Sequence, residues 1–157
     1  MYKRQEVVNL LAAYGDSDLL SYRAAGPAAL IAEQAAAWDP VLDWAAERYG
    51  VRLATGEGVM HVPQDPEGQT RLRQELAALS PFELAGAHDL ISLSGSLIIG
   101  LAVMQRHLTA ENGWEISRVD EEWQIREWGE DEEARDQEQI KRQAFGDAAR
   151  FFALSQN

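Results

Sequence analysis

Eight consecutive residues, Leu97 to Met104, carry no polar side chain. A helix of that composition is apolar on every side, and such a helix belongs at the centre of a bundle with other helices packed round it. The run is far too short to cross a bilayer, and His88 and Asp89 stand shortly before it. It is read as a buried core helix. The rest of the chain must therefore supply amphipathic elements that cover it, and 157 residues are enough for one domain with a real core.

Those elements are visible along the sequence. Val7, Val8, Leu10, Leu11 and Tyr14 fall at helical spacing and Gly15 stops them. Leu19 to Tyr22 reads as a short extended piece, punctuated by Gly26-Pro27. Ile31, Ala35, Trp38, Leu42, Ala45 and Tyr49 alternate spacings of four and three, which lines one helix face. Pro40 lacks an N–H and crowds the preceding turn, and Asp39 before it suits an N-cap, so the spacing predicts two consecutive helices or one kinked helix ending at Gly50. Residues 51–62 read as a loop holding at most a short strand pair, closed by Pro63 and Pro66. Leu72, Leu76 and Leu79 then mark another helix.

Ser80-Pro81-Phe82-Glu83 is a capping box with proline at the first helical position. Leu84, Ala87, Leu90 and Ile91 follow, and Ser92 to Ser96 either bends this helix or continues it into the apolar run. Thr109 is the next cap, ahead of Trp114, Ile116, Val119 and Trp123, with Trp123 assigned to the core and Gly129 as terminator after Trp128. Glu130, Asp131, Glu132 and Glu133 open the last helix, where the helix dipole favours carboxylates. Ile140, Ala144, Ala148 and Phe151 are its expected buried stripe. The expected architecture is an all-α orthogonal bundle of about six or seven helices.

Residues 6–157 are read as a single helical domain, the C-terminal part of a longer protein. The first five residues, Met1-Tyr2-Lys3-Arg4-Gln5, match what a sequencing-library adapter end would encode in frame, and are set aside as an artefact.

Composition excludes several chemistries. Without cysteine there are no disulfides and no thiolate metal sites. A dinuclear carboxylate bundle needs Glu-x-x-His on two helices, but His61, His88 and His107 follow Gly58, Ala85 and Met104 at that spacing. There is no His-Glu-x-x-His zinc signature and no phosphate loop, since no lysine follows the Gly95–Gly100 pair. Ser94 and Ser96 lack a nucleophile-elbow context and are read as capping or packing residues. No metal and no cofactor is expected. Fourteen basic residues against twenty-six acidic ones give a net charge of −12, a field that repels nucleic acid and anionic membranes and attracts a basic protein patch. Solubility alone explains the charge equally well.

One segment is denser than solubility requires. Asp120 to Glu133 packs eight carboxylates and two tryptophans into fourteen residues. A solvated face accounts for the charges and less well for the tryptophans. Trp128, beside a helix-ending glycine, is either core or an interface anchor, and aromatics at a polar rim are enriched in binding hot spots.

Four blocks in order, spanning about Tyr14 to Leu154, resemble the chaperones that bind the F1-ATPase α subunit before assembly. They are Ser21-Tyr22-Arg23-Ala24 with Gly26-Pro27, Gln34 with Trp38-Asp39-Pro40-Val41-Leu42-Asp43-Trp44, His88-Asp89-Leu90 with Ser94-Gly95-Ser96-Leu97, and Asp120-Glu121-Glu122-Trp123-Gln124 with Trp128 to Ala134. The resemblance implies an N-terminal β-rich domain, absent from this chain, ahead of the helical one. It implies a monomer that holds unassembled α subunit, shields its apolar surface and releases it when β subunit arrives, in the bacterial cytoplasm or the mitochondrial matrix. By motif match, Glu121 and Glu122 are the first candidates for partner binding and Asp120 the next, with Trp123, Gln124, Trp128 and Glu130 completing the patch. Two alternatives stand beside it: an acidic helical adaptor for another client, and a carboxylate-dependent enzyme.

Overall fold

The computed structural model describes residues 2–156. Among them eight α-helices account for most of the chain, joined by short connectors. They are α1 (Tyr2–Ala13), α2 (Ala28–Tyr49), α3 (Pro66–Ala77), α4 (Pro81–Ser94), α5 (Leu97–Met104), α6 (Ala110–Ser117), α7 (Val119–Trp128) and α8 (Glu132–Ser155). The expected helical bundle is thus observed. Residues 2–5 form the first turn of α1, and the Arg4 guanidinium donates to the Ala77 carbonyl at the end of α3.

Every residue of α5 is buried, as its all-round apolar surface requires. Helices α2, α4, α6 and α8 surround it. Close approach depends on glycine at defined points. A Cβ on Gly100 would sit 2.5 Å from the Ile91 side chain, and one on Gly86 would sit 3.0–3.2 Å from Phe152. Helix α4 begins at the predicted capping box: Ser80 Oγ accepts from the Glu83 amide at 3.1 Å, and the Ser80 amide donates to the Glu83 carboxylate at 2.8 Å.

Helix α4 does not continue into α5. Gly95 adopts a left-handed conformation (φ 73°) that ends α4, and Ser96 caps α5 by accepting from the Ile99 amide. Beside that cap lies Asp18, fully buried, which accepts from the Leu20 amide at 3.0 Å and from the Ile98 amide at 3.1 Å. Burial pushes its carboxyl up to about 6, against the opposing pull of these hydrogen bonds. This one acid ties the α1–α2 connector to the start of the central helix.

Several elements differ from the sequence expectation. Helix α2 runs unbroken through Pro40, so Asp39 is not an N-cap; its carboxylate pairs with Arg23 at 2.8 Å. Pro40 lies on the exposed face together with Ala36, whose carbonyl loses its helical partner, so water can satisfy it there. Meanwhile Trp38, fully buried, donates from Nε1 to the Ile116 carbonyl at 2.7 Å and holds the helix from the inside. The strand pair is parallel and joins distant segments, Tyr22–Arg23 with Gly56–Glu57, so only one of its strands falls in residues 51–62. Leu19–Ser21 is a short 3-10 turn and only Tyr22–Arg23 is extended. The stretch from Thr109 to Trp128 breaks at Arg118 into α6 and α7.

The buried face of α8 is Phe145, Ala148 and Phe152; Ala148 is where the sequence placed it, Phe145 and Phe152 replace Ala144 and Phe151, each one position earlier, and Ile140 and Phe151 are exposed. The reason lies in tertiary packing. The Phe152 backbone meets the Gly86 cleft and the Phe145 ring lies against Trp114, centroids 5.6 Å apart, and these two contacts set the rotation of the helix.

Candidate functional site

Helix α7 is short, has no fully buried residue and leaves α6 at Arg118. It packs on α2 through one face. There Asp120 accepts from Gln34 Nε2 at 2.7 Å, and the buried Gln34 accepts in turn from the Ala24 amide at 2.9 Å. Arg126 reaches Glu33 at 2.5 Å and lies 5.4 Å over the Trp123 ring. Trp123 is therefore half-buried under a guanidinium, outside the core to which the sequence assigned it. Glu122 is 3.7 Å from Arg118. Of the expected site residues, Asp120 and Trp123 serve this inner seam, while Glu122 pairs with Arg118 one turn earlier.

The opposite face of α7 is free. Glu121, Gln124, Ile125 and Trp128 recur at i, i+3, i+4 and i+7 and form one wall of a groove. Gly129 turns the chain with φ 90°, a conformation open to glycine without a Cβ penalty. Asp131 then caps α8, its carboxylate accepting from the Ala134 amide at 2.9 Å. Glu130, Asp131, Ala134 and Arg135 close the far wall, and Arg118 forms the floor. The groove holds about 290 Å³ and its exposed lining is mostly apolar. Trp128 stands over it at 82% exposure, the most exposed aromatic side chain among the described residues.

Sequence reasoning placed Glu121, Gln124, Trp128 and Glu130 in one patch, and the structure brings these four together. It missed Ile125, Arg118 and Arg135. The four-residue helical spacing would have found Ile125; the two arginines come from neighbouring elements and carry no local signal.

The first half of α8 stands away from the body. From Glu132 to Gln143 every residue is exposed except Glu138. Glu138 accepts from Trp114 Nε1 at 2.6 Å and from Arg142 Nε at 3.2 Å, with Arg118 at 3.8 Å. Burial alone would raise its carboxyl, but the Trp114 and Arg142 bonds and the charges of Arg142 and Arg118 outweigh it and hold Glu138 below the usual range. Glu121, Glu127, Glu130, Asp131, Glu132 and Glu133 are exposed and form no ion pair among the described residues, so their field is directed at solvent. No group of three histidine or carboxylate side chains is arranged to hold a metal among the described residues. No described helix is long and apolar enough to cross a membrane.

Fold and site together define an acidic helical-bundle domain with an open, aromatic-edged groove on its surface. A model of the ATP12 chaperone protein family matches residues 2–46. The crystal structure of Atp12 from Paracoccus denitrificans is similar with a TM-score of 0.94 and 46% identity, covering 96% of this chain and 65% of that one. The crystal structure of the Atu1473 protein of Agrobacterium tumefaciens is similar with a TM-score of 0.90 and 39% identity, covering 99% of this chain and 58% of that one. The mitochondrial protein atp12 of Schizosaccharomyces pombe is 26% identical over 117 residues, 71% of this chain and 40% of its own length. The chain is similar to members of the ATP12 chaperone family and spans less than two thirds of each of these relatives.

Proposed function

We propose that this chain is the helical part of an assembly chaperone that binds the unassembled α subunit of F1-ATPase, as a monomer and without catalysis, in the bacterial cytoplasm or the mitochondrial matrix. The observation that carries this reading is the exposed Trp128 beside a mostly apolar groove edged by Glu121, Glu130 and Asp131. An exposed aromatic at an apolar slot loses nothing by being covered, and contributes most when its rim excludes water. A free subunit with uncovered interface is an aggregation hazard, and a partner that covers such a surface reversibly needs only shape and charge complementarity.

Co-expression with α subunit tests the reading. The expected outcome is more soluble α subunit in the presence of this chain; no gain argues against it. Charge reversal at Glu121 and Glu122 should reduce that gain while far-UV circular dichroism stays unchanged. Loss of helicity in the double variant would assign both residues to the fold instead.

A further inference from the structure

The groove between α7 and the free half of α8 has a character that narrows what can enter it, and this inference rests on the chaperone reading above. Its walls present Ile125, Trp128 and Ala134, and its rim presents Glu121, Glu130 and Asp131. Its volume of about 290 Å³ is that of a few side chains, too little for a folded surface to enter. Two arginines also line it: Arg118 is engaged by Glu122 and Glu138, and Arg135 follows the acidic run Glu130 to Glu133. Glu127, Glu132 and Glu133 add three exposed carboxylates close in sequence, so acids outnumber bases there. The outer wall belongs to the part of α8 that contributes no buried core residue and is tied to the body through Glu138, so an occupant can enter without displacing core contacts.

We propose that this groove is the docking slot for a basic amphipathic helix of the client. One aliphatic or aromatic side chain of that helix enters between Ile125 and Trp128. Lysine or arginine residues one turn to either side meet Glu121 on α7 and Glu130 and Asp131 at the α7–α8 corner. The apolar anchor supplies most of the affinity, since a buried aromatic contact is desolvated and the rim charges stay wet. The rim sets orientation and association rate, and so makes binding salt-sensitive. Helix in groove is an established way for a peptide to be recognised, with anchors at i, i+3, i+4 and i+7, and the α7 wall repeats at that same period.

The test uses the whole chain, purified, against an array of overlapping peptides that spans the F1-ATPase α subunit, and against intact α subunit by pull-down. The peptides captured should carry an apolar residue flanked by lysine or arginine. Trp128→Ala should weaken their capture about ten-fold or more, and Ile125→Asp should abolish it, with helicity retained in both. Moderate salt should weaken capture further. Three results overturn the slot: captured peptides that are acidic, equal capture by wild type and Trp128→Ala, or a dimer of this chain in sedimentation that Trp128→Ala dissolves, since the groove would then be filled by a second copy. Intact α subunit separates the two ideas. If wild type fails to bind it, the chaperone reading falls; if wild type and Trp128→Ala bind it alike, only the slot falls.

Discussion

Helix α5 and the first half of α8 are built on opposite terms. Eight residues of α5 carry no charge and all are buried. Twelve residues at the start of α8 carry seven charged side chains, and only Glu138 among them is even half-buried. Their carboxylates differ in the same way. Asp18, at the head of α5, is wholly buried and pushed up to about 6, whereas the acids around Trp128 face water. The centre holds itself by excluding water, and the edge is held by the Glu138 contact and the Gly129 corner. Stability and binding are therefore separable in this molecule, because they reside in different residues.

The contrast can be broken most directly at Ile98. Ile98→Ala should cost about 2–5 kcal/mol, since the site is closed on every side and collapses only partly. The matching change in the arm, Ile140→Ala, should cost under about 0.5 kcal/mol, because Ile140 is exposed. Urea denaturation of both variants checks the pair, and equal losses would erase the distinction.

Asp18 gives the next effect. Its folded carboxyl titrates near 6 and its ordinary value is 3.8, so the folded state prefers it protonated. Its stabilising contribution is complete below 3.8 and is lost as pH rises through about 6. Relative to Asp18→Asn, which cannot titrate, wild type should lose about 3 kcal/mol of unfolding free energy across that window. Parallel pH profiles for the two proteins would refute the assignment.

Glu138 gives a smaller effect of opposite sign. Its folded carboxyl lies below the ordinary value, so its contribution is present above that value and fades as the solution turns acid. Glu138→Ala should cost about 1–2 kcal/mol at neutral pH through the bonds from Trp114 and Arg142. The difference from wild type, followed by thermal melts, should shrink on acidification.

Most of this fold could be read from the chain itself. The bare apolar run of α5, the capping box before α4 and the acidic start of α8 are local signals, and local signals survive folding. What escaped depended on distant partners. The rotation of α8 follows from Gly86 and Trp114 on other helices, the parallel strand pair joins residue 22 to residue 56, and Pro40 is tolerated because Trp38 anchors its helix to Ile116. The acidic patch was legible as composition. Its division into a bracing face and an open face was not, since only the partners Gln34 and Glu33 on α2 turn Asp120 and Arg126 inward.

Glu138 has a mechanical consequence. Toward its start, α8 is held at two places: at Glu138, and six residues earlier at Glu132, which Gly129, Glu130 and Asp131 join to α7, a span of about 9 Å. A tilt of about 10° at Glu138 would carry Glu132 about 1.5 Å across that span and leave Phe145 and Phe152 seated. The gauge of the slot is thus set by the Gly129 corner and the Glu138 contact, neither of which belongs to the interior, so a change in its width need not repack the core.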